Sequence, residues 1–236
     1  MQVLEQQIQQ SHWWQKACSC PDRHYHATHG IMLTDHLLAV THLVEQIFTN
    51  QTNHFLQEMF LLIEALGLDK RKIRDELVLV ALLHDIGKTE DDKSQYVVHP
   101  LTKQIVINRH SVVGVKAAKE ILDDSPLLSL AEKKRIYWIV EQHDISYGLF
   151  REFKKDGLEP DYATWQIINN NIHPVPGAGL LYLLIFKLAD IHGHANIEDV
   201  IWFYKTVFQH YFKAECIRLP IPKETDIRER QTHEYV

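Results

Sequence analysis

Seven apolar residues, Leu77 to Leu83, run unbroken into His84-Asp85-Ile86-Gly87-Lys88, and this stretch constrains the fold more than any other. It is too short to span a membrane and long enough for a helix buried on most sides. A buried helix must end where its last carbonyls find partners, and Gly87 suits the left-handed turn that closes one. His84 and Asp85 are therefore expected at the mouth of the core. Neighbours in a regular helix point about 100° apart, but at a helix end both side chains can turn toward one ion. A polar helix terminus without chemistry explains the pair equally well, so the question passes to the rest of the chain.

The remaining residues supply further ionisable groups on helical apolar faces. From Ile31 the spacing of Leu33, Leu37, Val40, Val44 and Ile47 predicts a helix, and His36 lies on the same stripe. A second helix is expected from Phe55 to Leu66, ended by Gly67. His110 opens another helix, with Gly114, Ala117, Ala118, Ile121 and Leu122 as its packing face. Ser129 and Glu132 form a capping box, and the helix that follows carries Ile136, Ile139, Val140 and His143 on one face. An apolar helix from Leu180 to Ala189 delivers Asp190, and a last long helix follows Asn196 with Val200, Tyr204 and Tyr211 inward.

Between these lie less regular stretches. Residues 1 to 16 read as one polar helix carrying Trp13 and Trp14 as a packing arm. Residues 18 to 30 form a histidine-dense loop, and 89 to 109 a small β-hairpin with a polar turn at about residues 95–108. Residues 151 to 161 read as a charged segment, and 169 to 177 as a loop. The tail beyond Arg218 is expected to be extended or poorly ordered. The expected class is all-α, organised as an arm and loop over 1–28, one helical domain over 29–215 and a tail over 216–236.

Composition narrows the function. The chain has 236 residues, 45% of them hydrophobic, and a net charge of −6. That balance gives no general attraction for nucleic acid, although a local basic groove is compatible with it. Cys18, Cys20 and Cys216 are odd in number and lack zinc-knuckle spacing, and the first ten residues lack the pattern of a secretory signal. The reducing cytoplasm is the expected compartment. Sixteen histidines raise the prospect of a metal site.

Taken singly, His36, His84, Asp85, His110, His143 and Asp190 each have a plain explanation as a core residue satisfied by hydrogen bonds. Together they are four imidazoles and two carboxylates, and burying them without a common partner would cost several kcal/mol. A cation is such a partner, and a mixed imidazole and carboxylate set suits zinc, manganese or iron better than calcium.

The ordered set His36, His84-Asp85, His110, His143, Asp190 resembles the HD superfamily of metal-dependent phosphohydrolases. Leu33 to Val40 is similar to the family's first helix, and Ala81 to Lys88 to its A-L-L-H-D-I-G-K string. His110 with Gly114 is similar to the H-x-x-x-G start of the next core helix, and Leu188-Ala189-Asp190 to the closing L-A-D. The resemblance covers roughly Gly30 to Ile201. It implies a helical bundle around one or two divalent ions (Mn, Fe, Zn, Ni or Mg), with Asp85 bridging, His36, His84 and Asp190 around the first ion and His110 and His143 completing the second. Lys88 is implied to act in catalysis by holding a phosphate, although a cation at a helix C-terminus explains it too. Arg109, His26 and His29 are candidates to line the substrate pocket. Glu141 and Asp144 are candidates to orient the histidines.

The expected activity is therefore hydrolysis of a phosphate ester of a nucleotide, dinucleotide or short oligonucleotide by a metal-activated water. Two alternatives stay open: a diiron oxygenase resembling inositol oxygenase, and a nuclease, since the loop holding His26 and His29 resembles that of HD-type exoribonucleases. The chain has Asp144-Ile145-Ser146-Tyr147-Gly148 after His143, not the G-Y-P of cyclic-dinucleotide phosphodiesterases. A small phosphorylated substrate is the expected partner, since long polymers usually need several phosphate contacts. No membrane is expected, and a homo-oligomer stays open.

Overall fold

The structure, a computed structural model, describes residues 1–22, 31–91, 94, 96–98, 105–191 and 197–231. Among the described residues the regular structure is helical apart from one hairpin, as the periodicity predicts, and the chain divides into two compact units. The first comprises Met1–His42 and Val78–Gln142, the second Leu43–Leu77 and His143–Val236. Helices α3 (Leu33–Thr49) and α5 (Lys70–Leu83) contribute residues to both.

In the first unit the amino-terminal arm is two helices, α1 (Gln2–Gln9) and α2 (His12–Ala17), where one was expected. Ser11 makes the break: its hydroxyl accepts from the Trp14 amide at 3.2 Å and donates to the Ile8 carbonyl at 2.7 Å. A serine at that position satisfies the new helix's free donors better than it continues the old helix. Trp13 and Trp14 are buried, and the Trp13 indole donates to Glu120 at 2.7 Å. Strands β1 (Tyr96–Val98) and β2 (Ile105–Ile107) pair antiparallel, with Val97 opposite Val106. They lead into α6 (His110–Leu122) and then α7 (Leu130–Gln142). The capping box forms as read: the Ser129 amide donates to Glu132 at 2.8 Å and the Glu132 amide to the Ser129 hydroxyl at 3.3 Å.

Gly87 does something other than expected. It lies in a 3₁₀ turn, Ile86–Thr89, and is not among the residues with positive φ, so α5 does not end on a left-handed glycine. The turn packs directly on α6. A Cβ at Gly87 would collide with the carbonyl of His110 and stand 2.5 Å from the Gly114 nitrogen. The glycine is needed for close backbone approach, and that approach sets the distance from His110 to the end of α5.

The second unit also holds more helix than expected. The charged segment contains the end of α8 (Ile145–Asp156), and α9 (Tyr162–Ile172) runs into the expected loop. Gly157, at φ 71°, closes α8, and Asp161 caps α9 by accepting from the Thr164 amide at 2.9 Å. Charge masked α8 because its apolar face is narrow, with Phe150 and Ser146 as its buried residues. Helix α4 (His54–Ala65) ends at Gly67, φ 68°, as read. Helix α10 (Ala178–Ala189) is buried at every residue. Helix α11 (Ile197–Val207) passes into a π-turn, Phe208–Phe212. The tail has no regular structure over 217–223, but Glu224–Gln231 forms α12 where an extended run was expected, and Leu219 and Ile227 are buried. With Pro220 and Pro222 also buried, four apolar residues among many charges dock it. Among the described residues no helix is long and apolar enough to cross a membrane.

Gly87→Ala should lower stability by about 1–3 kcal/mol, the usual cost of overpacking. Gly148→Ala in α8, where a Cβ meets nothing within 4 Å, should raise it by up to about 1 kcal/mol through helix propensity. Urea unfolding of the two variants checks both signs.

Candidate metal centre

The end of α5 presents its two polar residues to a buried interior. Leu77 to Leu83 are each at most 1% exposed, and His84 and Asp85 are buried with them. The His84 amide still donates to Val80 at 2.8 Å, but Asp85 leaves the helix at φ −106°, ψ 1°. The His84 Nδ1 lies 2.9 Å from the Ala81 carbonyl. A carbonyl only accepts, so in the neutral ring Nδ1 carries the proton and Nε2 keeps its lone pair.

That lone pair faces more donors. His36, on the first turn of α3, places its Nε2 3.2 Å from the His84 Nε2. One oxygen of Asp85, Oδ2, stands 3.4 Å from the His36 Nε2 and 3.6 Å from the His84 Nε2. An ion with tetrahedral bonds of about 2.0–2.1 Å has ligand atoms about 3.3 Å apart, so the three atoms fit a divalent metal. The second oxygen of Asp85, Oδ1, lies 3.2 Å from the Nε2 of His110. One carboxylate thus faces two imidazoles with one oxygen and a third with the other. Lys88 pairs with Oδ2 of Asp85 through its ammonium and is itself buried.

The other two expected donors lie in the second unit. His143 is buried, with its Nε2 3.6 Å from Asp144. Asp190 closes α10 and is half-buried, its amide donating to Phe186 at 2.9 Å. Among the described residues two groups of three could hold a metal ion: His36, His84 and Asp190, and Asp85, His110 and His143. All six residues singled out in the sequence belong to one group or the other.

Other expectations fare differently. Glu141 is exposed on α7, so Asp144 is the carboxylate beside His143. Arg109 is exposed and adopts a left-handed conformation, φ 58° and ψ 33°, immediately before His110. Such backbone costs a non-glycine residue about 1–2 kcal/mol. His26 and His29 lie outside the described residues.

Two features were missed. Asp22 is buried, with its Oδ2 3.8 Å from the Nδ1 of His36. Nothing local in Pro21-Asp22-Arg23 signals that placement. Lys187, one turn before Asp190, is buried with its ammonium 3.2 Å from Asp199, which is also buried. A single lysine inside an otherwise apolar helix was a visible signal that a counter-charge waits nearby. Burial pulls the Lys187 pKa down, but the carboxylates of Asp199, Asp190 and Asp144 together raise it above the ordinary lysine value.

The family model described as HD domain matches residues 33–202, a span that encloses all six candidate donors. No curated protein and no solved structure matches the chain.

Lys187→Met should cost about 3–5 kcal/mol, because Asp199 would remain buried without its cation. Replacing both residues, as Lys187→Met with Asp199→Leu, should recover much of the loss in urea unfolding. Since the Lys187 pKa is raised on folding, its pairing contributes stability that is complete below the ordinary value of 10.5 and is lost as pH rises through the raised value.

Proposed function

The chain belongs to the HD domain family, and on that premise we propose that it is a metal-dependent phosphohydrolase or phosphodiesterase. HD domains as a group are metal-dependent and of hydrolase type. The substrate we assign is a nucleotide, dinucleotide or short oligonucleotide. The observation that carries this reading is the Asp85 carboxylate, whose two oxygens face His36 with His84 on one side and His110 on the other. A carboxylate shared in that way suits a pair of cations.

In this reading His36, His84, Asp85 and Asp190 hold one divalent ion, and Asp85, His110 and His143 hold a second. Manganese, iron, zinc, nickel and magnesium are the candidates; the imidazoles suit iron, zinc and nickel, and the carboxylates suit manganese and magnesium. When bound, such ions supply an acidified water and Lewis acidity at a phosphoryl oxygen. The protein supplies orientation. The Nδ1 of His84, held by a carbonyl, keeps its Nε2 turned inward. Lys88 is the phosphate-binding residue: its ammonium, now against Asp85, can turn to a phosphate oxygen without leaving the site. Arg109 and His29 are the further substrate-binding residues we assign. The net charge of −6 disfavours long nucleic acid, whose phosphates would be repelled. The domain we propose, 29–215, encloses the matched span, and we place the protein in the cytoplasm.

Metal analysis of the purified protein, followed by hydrolysis of a generic phosphodiester with Mn²⁺ and then a panel of nucleotides and oligonucleotides of rising length, tests the reading. Asp85→Ala should remain helical, lose metal and drop kcat/KM by about 10³-fold, about 4 kcal/mol of transition-state stabilisation. Full activity in that variant would refute the assignment. Lys88→Ala should raise KM or lower kcat about tenfold or more, and an unchanged kcat/KM removes Lys88 from the mechanism. Bound iron with oxygen consumption and no phosphate release would transfer the protein to the diiron oxygenases. Activity that rises with oligonucleotide length would make it a nuclease.

A further inference from the structure

We propose that Asp22 is the positioning residue of His36, a carboxylate outside the donor set that fixes which nitrogen His36 offers. The inference rests on the metal centre proposed above. It starts from the pairing of residues 20–22 with 31–33. The Asp22 amide donates to the Ile31 carbonyl at 2.9 Å, the Leu33 amide to the Cys20 carbonyl at 2.8 Å, and Pro21 bridges to Met32. The Asp35 carboxylate accepts from the Met32 amide at 2.9 Å and ties this pairing to the first turn of α3. His36 belongs to that turn, so two backbone hydrogen bonds and one side-chain hydrogen bond tie the segment holding Asp22 to the start of the helix that carries the His36 ring.

The chemistry of the placement is specific. The Asp22 side chain is fully removed from solvent, 0% exposed, and the His36 side chain is 2% exposed. Burying a carboxylate costs several kcal/mol unless positive charge or donated hydrogen bonds offset it. Its Oδ2 is 3.8 Å from the His36 Nδ1, an electrostatic contact longer than a hydrogen bond. A negative oxygen facing Nδ1 favours the proton on that nitrogen, which leaves the Nε2 lone pair directed at His84 and Asp85. The two imidazoles of the first donor group are thus set by different devices. His84 is held by the backbone carbonyl of Ala81, and His36 by a buried carboxylate from another segment. A carboxylate behind an imidazole also makes it a stronger ligand, and loss of such a partner typically costs 10–100-fold in metal affinity.

The full-length protein, stripped of metal, gives two independent readouts. The first is the ¹⁵N shift pattern of His36 at about pH 8, where an ordinary histidine is neutral. The wild type should show a protonated Nδ1, and Asp22→Asn should shift the population toward protonated Nε2. The second is Mn²⁺ affinity by calorimetry. Asp22→Asn should weaken binding about 10–100-fold, and should add no further loss in a His36→Asn background. A wild-type His36 protonated on Nε2 overturns the proposal without any variant. So does a folded Asp22→Asn protein with wild-type affinity, or one whose loss is the same with and without His36. If the wild type takes up no metal at all, the metal reading falls on its own, and the His36 tautomer still decides the role of Asp22.

Discussion

The Asp85 carboxylate governs how this site is built. It emerges from the end of a helix whose last turns are almost entirely excluded from water, where an ionised group is tolerated only with positive charge or donated hydrogen bonds close by. The surrounding chain is arranged to provide them: imidazoles from α3, from the end of α5 and from the start of α6, and the ammonium of Lys88. Each of those side chains is held by something less conspicuous. Gly87 lets the α6 backbone approach closely enough for His110 to reach Oδ1. Ala81 fixes the His84 ring, and Asp22 stands behind His36.

Much of this could be read from the amino acids, because the signals are local. The stripe from Leu33 to Ile47, the Ser129–Glu132 capping box and the Val97–Val106 hairpin each depend on residues a few positions apart. The donors were legible for a related reason: a polar residue on an apolar face is conspicuous whatever surrounds it. Helix α8 and the tail were not legible. In both, charged residues outnumber the few apolar ones that dock, and the docking surface is elsewhere in the chain. The role of Gly87 was misassigned because a glycine after a helix has two uses, a left-handed turn or a close approach, and the choice depends on a helix more than twenty residues further on. Asp22 and the Lys187–Asp199 pair are tertiary in the same sense, although the lysine itself stood out in its apolar run.

The phosphohydrolase reading follows from how charge is distributed around the centre more than from the number of donors. A carboxylate with histidines against both oxygens and a lysine against one can exchange its partners as anionic ligands arrive. Lys88 is paired with Asp85 in this structure, and in this reading it is the residue that turns to a phosphate oxygen. The backbone of Arg109 lies in a conformation that costs a side-chain-bearing residue energy, immediately ahead of His110. Strain of that kind next to a candidate donor fits a segment selected for where it puts its side chains rather than for stability.

Helix α10 has one further consequence. Every residue from Ala178 to Ala189 is buried, so it has no solvent-facing side along which its hydrogen bonds could open one by one. Its amides can exchange with deuterium only when the second unit opens as a whole, which makes the helix an internal clock for global unfolding. Asp190 closes that helix. A candidate donor at the end of so fully buried a helix is held in place by the packing of the whole unit.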